Sequence, residues 1–505
     1  MTIRYLATIL LYFSIAFLYQ PTVTAQHTEA ELIEEAILRT DVEKNIYFLA
    51  ADELLGRDTG THELDIAARY IATWYQIYGV EFAEGYDSYF QDVPFERLRA
   101  PENITLTVAD STYQQSRDLV LMNSFRGDLD SEYIFLEYAT EEELNEHDVE
   151  GKIVVSRAGL PNHTSPQQNF MTIAQKNEWA REAGVKALIE LYTSPQFPWQ
   201  ILVNFLGGDR IDLDSSDPEN DNPLPHFWMN GTISERVDFF STSTGEEVTL
   251  NVEGPESETF TSRNVIGVIK GTDEQLKEEY ILLSAHYDHT GVVDGHPEPI
   301  TSEYIYNGAR DNAVGTAGVM AAAKYFAKNP PKRSIILAAW TAEEVGLLGS
   351  RYYAENPMVP LEQTIYNLNI DGAGYNDTTK VTVIGLGRTE ADDEMIAAAD
   401  AFGLEAIPDP VPEQNLFDRS DNVNFAQRGI PAPTYSMGLT GFDDEINFYY
   451  HQPTDEPHTV NYDYVTSYIR SFVLAAQKIA NRETAPFWLP GDVYEEAGIE
   501  LYGKE

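Results

Sequence analysis

Seven consecutive residues, Ser334-Ile-Ile-Leu-Ala-Ala-Trp340, place no charged side chain on either face of an extended chain. A strand of that kind must be covered on both sides, as a central strand is in a sheet flanked by helices. It is followed at once by Thr341-Ala-Glu-Glu344, so it delivers two carboxylates to its carboxyl end. Neighbouring runs behave alike. Tyr280–Ala285 leads into His286-Tyr-Asp-His289, and Ile365–Ile370 leads into Asp371. Between them, Gly308-Ala-Arg-Asp-Asn312 precedes a helix expected over Asn312–Ala327. Strands alternating with helices from Asn264 onward imply an α/β fold, with a mostly parallel central sheet sandwiched by helices. Such sheets bind ligands beyond the carboxyl ends of their strands, where His286, Glu343, Glu344 and Asp371 fall.

Imidazole nitrogens and carboxylate oxygens suit zinc and similar divalent ions. A two-ion site needs a carboxylate that reaches both ions, roughly 3.5–4 Å apart. Alone, His286 is more simply a structural histidine. Together with Asp288, Asp311, Glu343, Glu344 and Asp371 it reads as a ligand. Adjacent acids usually start a solvated helix, but Glu343 and Glu344 follow a buried strand. One can bind an ion while the other accepts a proton from water, the division of labour that metal-assisted hydrolysis requires.

The rest of the chain frames this segment. Residues 1–25 read as a signal peptide, with Arg4, an apolar run from Tyr5 to Leu18, and small residues Val23-Thr-Ala25 before Gln26. A secreted or periplasmic protein, soluble and off the membrane after cleavage, is expected. There is no cysteine, which excludes disulfides and thiolate chemistry. A formal charge of −49, from 82 acidic and 33 basic residues, argues against nucleic-acid or anionic-membrane partners. Glu29–Leu54 and His62–Tyr78 read as two helices, with Thr61 as the N-cap of the second and Gly79 as its end. From about residue 103 short strands take over, and Pro195–Pro225 reads as a long ordered loop or lid. Gly254–Glu258 reads as a linker back to the α/β pattern.

The segments SAHYDH, YNGARDNAVGTAG, WTAEEVGLLGS and NLNIDGAG, in this order, resemble the co-catalytic (dinuclear) zinc exopeptidase family of bacterial leucyl aminopeptidase, aminopeptidase Y and glutamate carboxypeptidase. Gly429-Ile-Pro431, Tyr449-Tyr-His451 and the upstream Tyr47–Arg57 are similar to further segments of that family. The resemblance implies two Zn2+ per chain. His286, Asp311 and Asp371 would hold one, and Asp311, Glu344 and His451 the other, with Asp311 bridging. Glu343 would be the general base that deprotonates a water between the ions, and Asp288 the partner of His286. Tyr450 would stabilise the oxyanion, with Tyr435 as its rival. The implied domain is discontinuous, residues 26–104 and 259–505 with a tail after about 485. Residues 105–258 resemble an inserted, β-rich protease-associated domain, carried by Val149–Val155 and Ala180–Ile189, whose Trp199 and Phe205 would wall the cleft.

The implied activity is hydrolysis of peptides from one end, most simply as an aminopeptidase. A carboxypeptidase gripping the substrate carboxylate with Arg310 or Arg419, a non-catalytic binding protein, and a family-related cyclase acting on N-terminal glutamine are the alternatives. Two positions depart from the family pattern. Arg310 stands where many relatives carry an acid, and would either pair with a nearby carboxylate or meet substrate. Asn422 stands where histidine is frequent. His289, His296 and His458 receive no role and read as peripheral.

Overall fold

The computed structural model describes residues 27–161, 166–194, 198–214 and 224–503; the export segment expected over 1–25 lies outside them. One nine-stranded sheet organises the chain. Its strands are β1 (Phe90–Leu98), β2 (Arg210–Leu213), β3 (Glu258–Ile269), β4 (Tyr280–His286), β5 (Ser334–Trp340), β6 (Thr364–Ile370), β7 (Lys380–Ile384), β8 (Glu405–Pro408) and β9 (Thr434–Met437). They lie in the order β8-β7-β9-β6-β4-β5-β3-β1-β2.

The centre of this sheet is parallel: β4 pairs β5 and β6, and β6 pairs β9. The flanks are mixed, because β3 joins β5 antiparallel and β7 joins β9 antiparallel. Buried parallel strands explain the near-continuous apolar runs. Every residue of β4, β5 and β6 is buried. Ile335, Ile336 and Leu337 are fully enclosed, each contributing roughly 1.5–3 kcal/mol through burial.

Register sets the site. His286 is level with Trp340 in the β4–β5 pairing, and Ser284 is level with Asn369 in β4–β6. His286 and Asp371, each two residues further on, therefore leave the sheet side by side. Helices cover both faces of the sheet. On one side, α1 (Glu29–Ala36), α2 (Arg39–Leu49), α3 (His62–Tyr78), α4 (Val314–Phe326) and the 19-residue α5 (Tyr462–Ala480) bury their apolar stripes. The other face is closed by residues that include Tyr353, Phe425 and Trp488. Gly315 opens α4 where a Cβ would lie 2.2 Å from Asn312 Oδ1 and 2.4 Å from Ile370 O. Only glycine lets α4 begin this close to the end of β6.

The single helix expected over Glu29–Leu54 is divided. Ile37 is extended between α1 and α2 (φ −104°, ψ 95°), and Asp52–Arg57 forms a separate 3-10 turn. The apolar spacing continues across the break, so periodicity alone does not reveal it. The Ile37 carbonyl instead accepts from Arg470 Nε and Nη2 at 3.1 and 2.9 Å, a tertiary contact that substitutes for helix continuation. Thr61 caps α3 through Leu64 N, and Gly79 ends it at φ 84°.

The inserted segment builds its own eight-stranded sheet, whose strands include Asn103–Val108, Ile153–Arg157, Ala187–Tyr192, His226–Asn230 and Glu247–Glu253. Within 195–225, where a loop or lid is expected, the chain forms a helix, Trp199–Leu206, and the strand β2. β2 pairs antiparallel with β1, from Phe95↔Leu213 to Leu98↔Arg210, so the insertion is stitched into the edge of the main sheet. Val203, Leu206 and Leu202 fall on one face of that helix, a helical signal that the Pro- and Asp-rich surroundings obscure.

Candidate metal centre

The carboxyl ends of β4, β5 and β6 gather the predicted ligands at the floor of a cleft of about 1510 Å³. His286 Nε2 faces Asp371 Oδ1 at 3.1 Å, Asp311 Oδ1 at 3.3 Å and Glu343 Oε2 at 4.0 Å. His451 Nε2 faces the other oxygen of Asp311 and Glu344 Oε2, each at 3.2 Å. Asp311 thus turns one oxygen to each histidine.

Each group has a local cause for its place. The chain turns sharply after β5 through Ala342, at φ +60° and fully buried, so that Glu343 and Glu344 emerge together. Asp288 holds that turn: its carboxylate accepts from Glu343 N at 3.1 Å and Glu344 N at 3.3 Å, and from Thr59 Oγ1 at 3.3 Å. His286 Nδ1 lies 3.3 Å from the backbone oxygen of Asp288 and 3.8 Å from its carboxylate. Asp288 therefore supports His286 chiefly through its carbonyl, while its carboxylate orders the two glutamates. Asp371 is fixed by Ser420 Oγ, which donates to Oδ2 at 2.5 Å, and by Gly372 N, which donates to Oδ1 at 2.7 Å.

Arg310 is buried and internally paired. It donates to Asp455 Oδ1 at 2.8 Å and to Thr459 Oγ1 at 2.7 Å, and its guanidinium lies 3.6 Å from the Tyr449 ring centre. It ties Asp311 to the loop that carries His451 and is closed off from substrate. Arg419 instead lines the cleft, with Nη2 3.4 Å from Tyr450 Oη. Tyr450 lies over His451, with ring centres 4.1 Å apart. Tyr435 does not reach the cleft: it is fully buried, packed on Tyr468, with its hydroxyl 2.9 Å from Ser471 Oγ. Asn422 is buried and donates to Ala432 O at 3.0 Å, away from the cleft lining.

His289 is not peripheral. It is buried, and its Nδ1 lies 2.6 Å from Glu344 Oε1. His296 makes only surface contacts. The signal for His289 was its place in His286-Tyr-Asp-His289, three residues beyond a ligand at a strand end.

So many like charges in a buried space perturb one another. Burial pushes the Glu343 carboxyl well above the usual range, and Glu344 and Asp371 add to this against the pull of His286. Burial works against the charge on His286, but Glu343, Asp371 and Asp311 outweigh it and hold the imidazole well above its ordinary value. Glu344 is driven down to about 2, because His289 and His451 overcome burial and the repulsion of Asp311. Three carboxylates and two imidazoles converging at hydrogen-bond range, with no lysine or arginine among them, form a donor set that suits a divalent cation. The triads His286–Asp311–Asp371 and His289–Asp311–Glu344 each bring their ligand atoms within 4.8 Å of one another.

The insertion supplies the far wall of the cleft. Met122, Phe170, Ile173, Phe205 and Leu206 line it, with the rings of Phe170 and Phe205 6.3 Å apart. Phe205 is 68% exposed. Trp199 is not part of the wall. It is buried in the insertion's core, and its indole donates to Ser116 O at 2.8 Å.

Residues 264–474, which contain every ligand named above, match the model of peptidase family M28. Over that segment the chain is similar to peptidase family M28. It is 26% identical over 212 residues to aminopeptidase YwaD of Bacillus subtilis, covering 42% of each chain. It is 32% identical over 147 residues to a glutamate carboxypeptidase 2 homolog of Caenorhabditis briggsae, covering 28% of this chain and 17% of that one. The chain thus spans less than half the length of these relatives. The solved structure of an aminopeptidase from Aneurinibacillus sp. strain AM-1 shares this chain's fold, with a TM-score of 0.53 at 21% identity over 92% of this chain and 98% of that one.

Proposed function

We propose that this chain is an exported two-zinc exopeptidase of the M28 type that removes residues from the amino terminus of peptides. The observation that carries this reading is the single carboxylate of Asp311, which turns one oxygen toward His286 and the other toward His451. His286, Asp311 and Asp371 would hold one ion, and Asp311, Glu344 and His451 the second. The ions, when bound, supply Lewis acidity to water and to the scissile carbonyl.

The chain's own groups do the rest. Glu343 projects into the cleft beside this cluster and takes the proton of the attacking water, then passes it to the leaving amine. Burial in an acidic site raises its proton affinity, which suits a group that must hold a proton between the two steps. Tyr450 donates its hydroxyl to the developing oxyanion, and burial together with Asp311 raises the proton affinity of that hydroxyl. Carboxylates outnumber guanidinium groups along the cleft. Asp209, Asp212, Asp214, Glu355 and Asp418 join the metal-site acids, against Arg210, Arg351 and Arg419. Arg351 is already paired with Asp212. Such a lining favours a free amino terminus over a free carboxylate.

The second reading, a carboxypeptidase, rests on Arg419, which faces the cleft beside Tyr450. Its other candidate clamp, Arg310, is consumed by Asp455. The inserted segment is read as a protease-associated-like domain that limits substrate length. Export rests on residues 1–25; no helix among the described residues is long and apolar enough to cross a membrane.

The test compares aminoacyl anilides with N-blocked dipeptides, before and after chelation and zinc add-back. Zinc-dependent release from the anilides alone supports the aminopeptidase. Release from blocked dipeptides alone transfers the assignment to the second reading, and activity that survives chelation overturns both.

A further inference from the structure

Glu344 divides its two oxygens between different histidines. Oε2 faces His451 Nε2 at 3.2 Å, whereas Oε1 lies 2.6 Å from Nδ1 of His289. A carboxylate accepts only, so Nδ1 carries the proton and donates. The residue that donates is buried and closely packed, with its other ring nitrogen unpartnered. Its backbone N–H donates to Arg57 O at 3.1 Å. The His451 ring meets it edge-on at 5.5 Å. On the remaining side lies Gly308, at φ +56°, where an added Cβ would come within 2.6 Å of both Cγ and Cδ2 of the His289 ring. The Gly308 position thus leaves the space that the imidazole needs to stand against Glu344.

We propose that His289 is a positioning residue for the second metal site, which keeps Glu344 a one-oxygen ligand. The proposal rests on the two-ion reading above. A glutamate with both oxygens free can chelate an ion with either or both, which suits larger, more loosely coordinated cations. With Oε1 engaged by His289, only Oε2 is presented, the single short contact that tetrahedral zinc prefers. Partners of this kind typically contribute ten- to a hundredfold in metal affinity. The effect falls on one ion only. The other would be held by His286, Asp371 and the shared Asp311, and of these only Asp311 lies near His289. The second site needs this support more, because its histidine, His451, has a side chain 39% exposed, against 1% for His286.

The experiment titrates metal-free protein with Zn2+ and Co2+ by calorimetry, and follows the visible absorption of the Co2+ form. His289→Phe keeps a ring but removes the donor. His289→Asn places an amide N–H near the former Nδ1, and asparagine is a poor zinc ligand. Wild type is expected to take up two ions. His289→Phe should bind one with unchanged affinity and the other ten- to a hundredfold more weakly, with an altered Co2+ spectrum, and His289→Asn should recover most of the loss. Should the phenylalanine variant fail to fold, as judged by its circular dichroism, His289→Ala takes its place beside His289→Asn. Equal, wild-type binding of both ions by the donor-less variant overturns the proposal. If the asparagine variant is as weak as the donor-less one, His289 acts as a ligand or as packing and the proposal also fails. Uptake of a single ion by wild type overturns the two-ion reading, and this proposal with it.

Discussion

Arg57 Nη2 donates to Gly308 O at 3.1 Å, and so joins a turn near the start of the described chain to the loop that carries Asp311. The same guanidinium donates to Asn307 O at 2.7 Å, to Tyr287 O at 2.8 Å and to Leu49 O. Tyr287 follows His286, and Gly308 stands three residues before Asp311. One fully buried cation therefore sets the spacing of two loops that carry candidate metal ligands. Arg57 lies outside residues 264–474, the part matched by the family model. The candidate site therefore depends on a residue outside that segment.

Replacing Arg57 with alanine should therefore destabilise the fold and loosen the site together. Four buried carbonyls lose a donor, at about 1–3 kcal/mol each for an unsatisfied group, so a loss of about 4 kcal/mol or more is expected. Urea unfolding of the metal-free protein reads this directly. Arg57→Lys should rescue little, because an ammonium cannot reproduce the spread of the planar fork. A lysine variant as stable as wild type would remove the geometric role assigned here.

Glu343→Gln separates proton transfer from metal binding. Glu343 lies 4.0 Å from His286 Nε2, against 3.1–3.3 Å for the two aspartates, so it stands back from the first ion site. The amide is close to isosteric with the carboxyl but takes no proton. General-base catalysis is typically worth about 10²–10⁴-fold, and turnover should fall by at least that factor. Zinc content per chain should stay at the wild-type value. Metal loss equal to activity loss would make Glu343 a ligand and leave the base unassigned.

What the sequence could disclose follows from how local each signal is. Strand ends that deliver His286, Glu343–Glu344 and Asp371 are legible because burial on both faces writes an unbroken apolar run beside an abrupt acidic one. His451 is not legible that way; it sits after a short helix, Asp444–Tyr449, and only resemblance pointed to it. His289 carries only the local signal of its place after His286, because its partner, Glu344, is 55 residues away, and no spacing rule links a residue after one strand to a residue after the next. The break at Ile37 was hidden for the same reason, since its cause is Arg470. Arg310 could be read either as an internal partner or as a substrate clamp. Asp455 decides for the former, from 145 residues further on.

The apolar wall contributed by the insertion predicts a preference beyond the first residue of the substrate. Phe170 and Phe205 line the same cleft as the metal-site acids, and Phe205 leaves most of its surface uncovered. A side chain downstream of the scissile bond can bury itself there. Phe205→Ala should lower kcat/KM for peptides with a bulky apolar downstream residue by roughly tenfold, the low end of what one methylene group is worth in an apolar pocket, since this wall is open to solvent on one side. Aminoacyl anilides, which lack that residue, should be cleaved at the wild-type rate. An equal loss on both substrates would place Phe205 in the fold instead of the recognition surface.

The last prediction concerns acid stability and lies away from the metal site. Within the insertion, fully buried Glu190 accepts from Lys176 Nζ, lies 2.8 Å from His226 Nε2, and accepts from Trp228 Nε1 at 2.8 Å. Lys176 also donates to Arg157 O and Gly159 O, at 3.0 and 3.1 Å. Burial alone would push the Glu190 carboxyl up. Lys176 and His226 overcome it and bring it down to about 2 from the ordinary 4.5. A carboxyl depressed on folding stabilises the fold fully above its unfolded value and loses that contribution as protons bind the folded form. Stability should thus be constant from this source above about pH 4.5 and decline between there and pH 2, by about 3 kcal/mol in all. Hydrogen exchange of the insertion's strands Ile153–Arg157, Ala187–Tyr192 and His226–Asn230, followed as a function of pH, reads the insertion alone. Glu190→Gln should flatten the decline across that window while lowering stability at pH 7, since Lys176 is then buried without its counter-charge, at roughly 3–5 kcal/mol. A Glu190→Gln protein with the wild-type acid slope would show that other carboxylates set the acid limit of this domain.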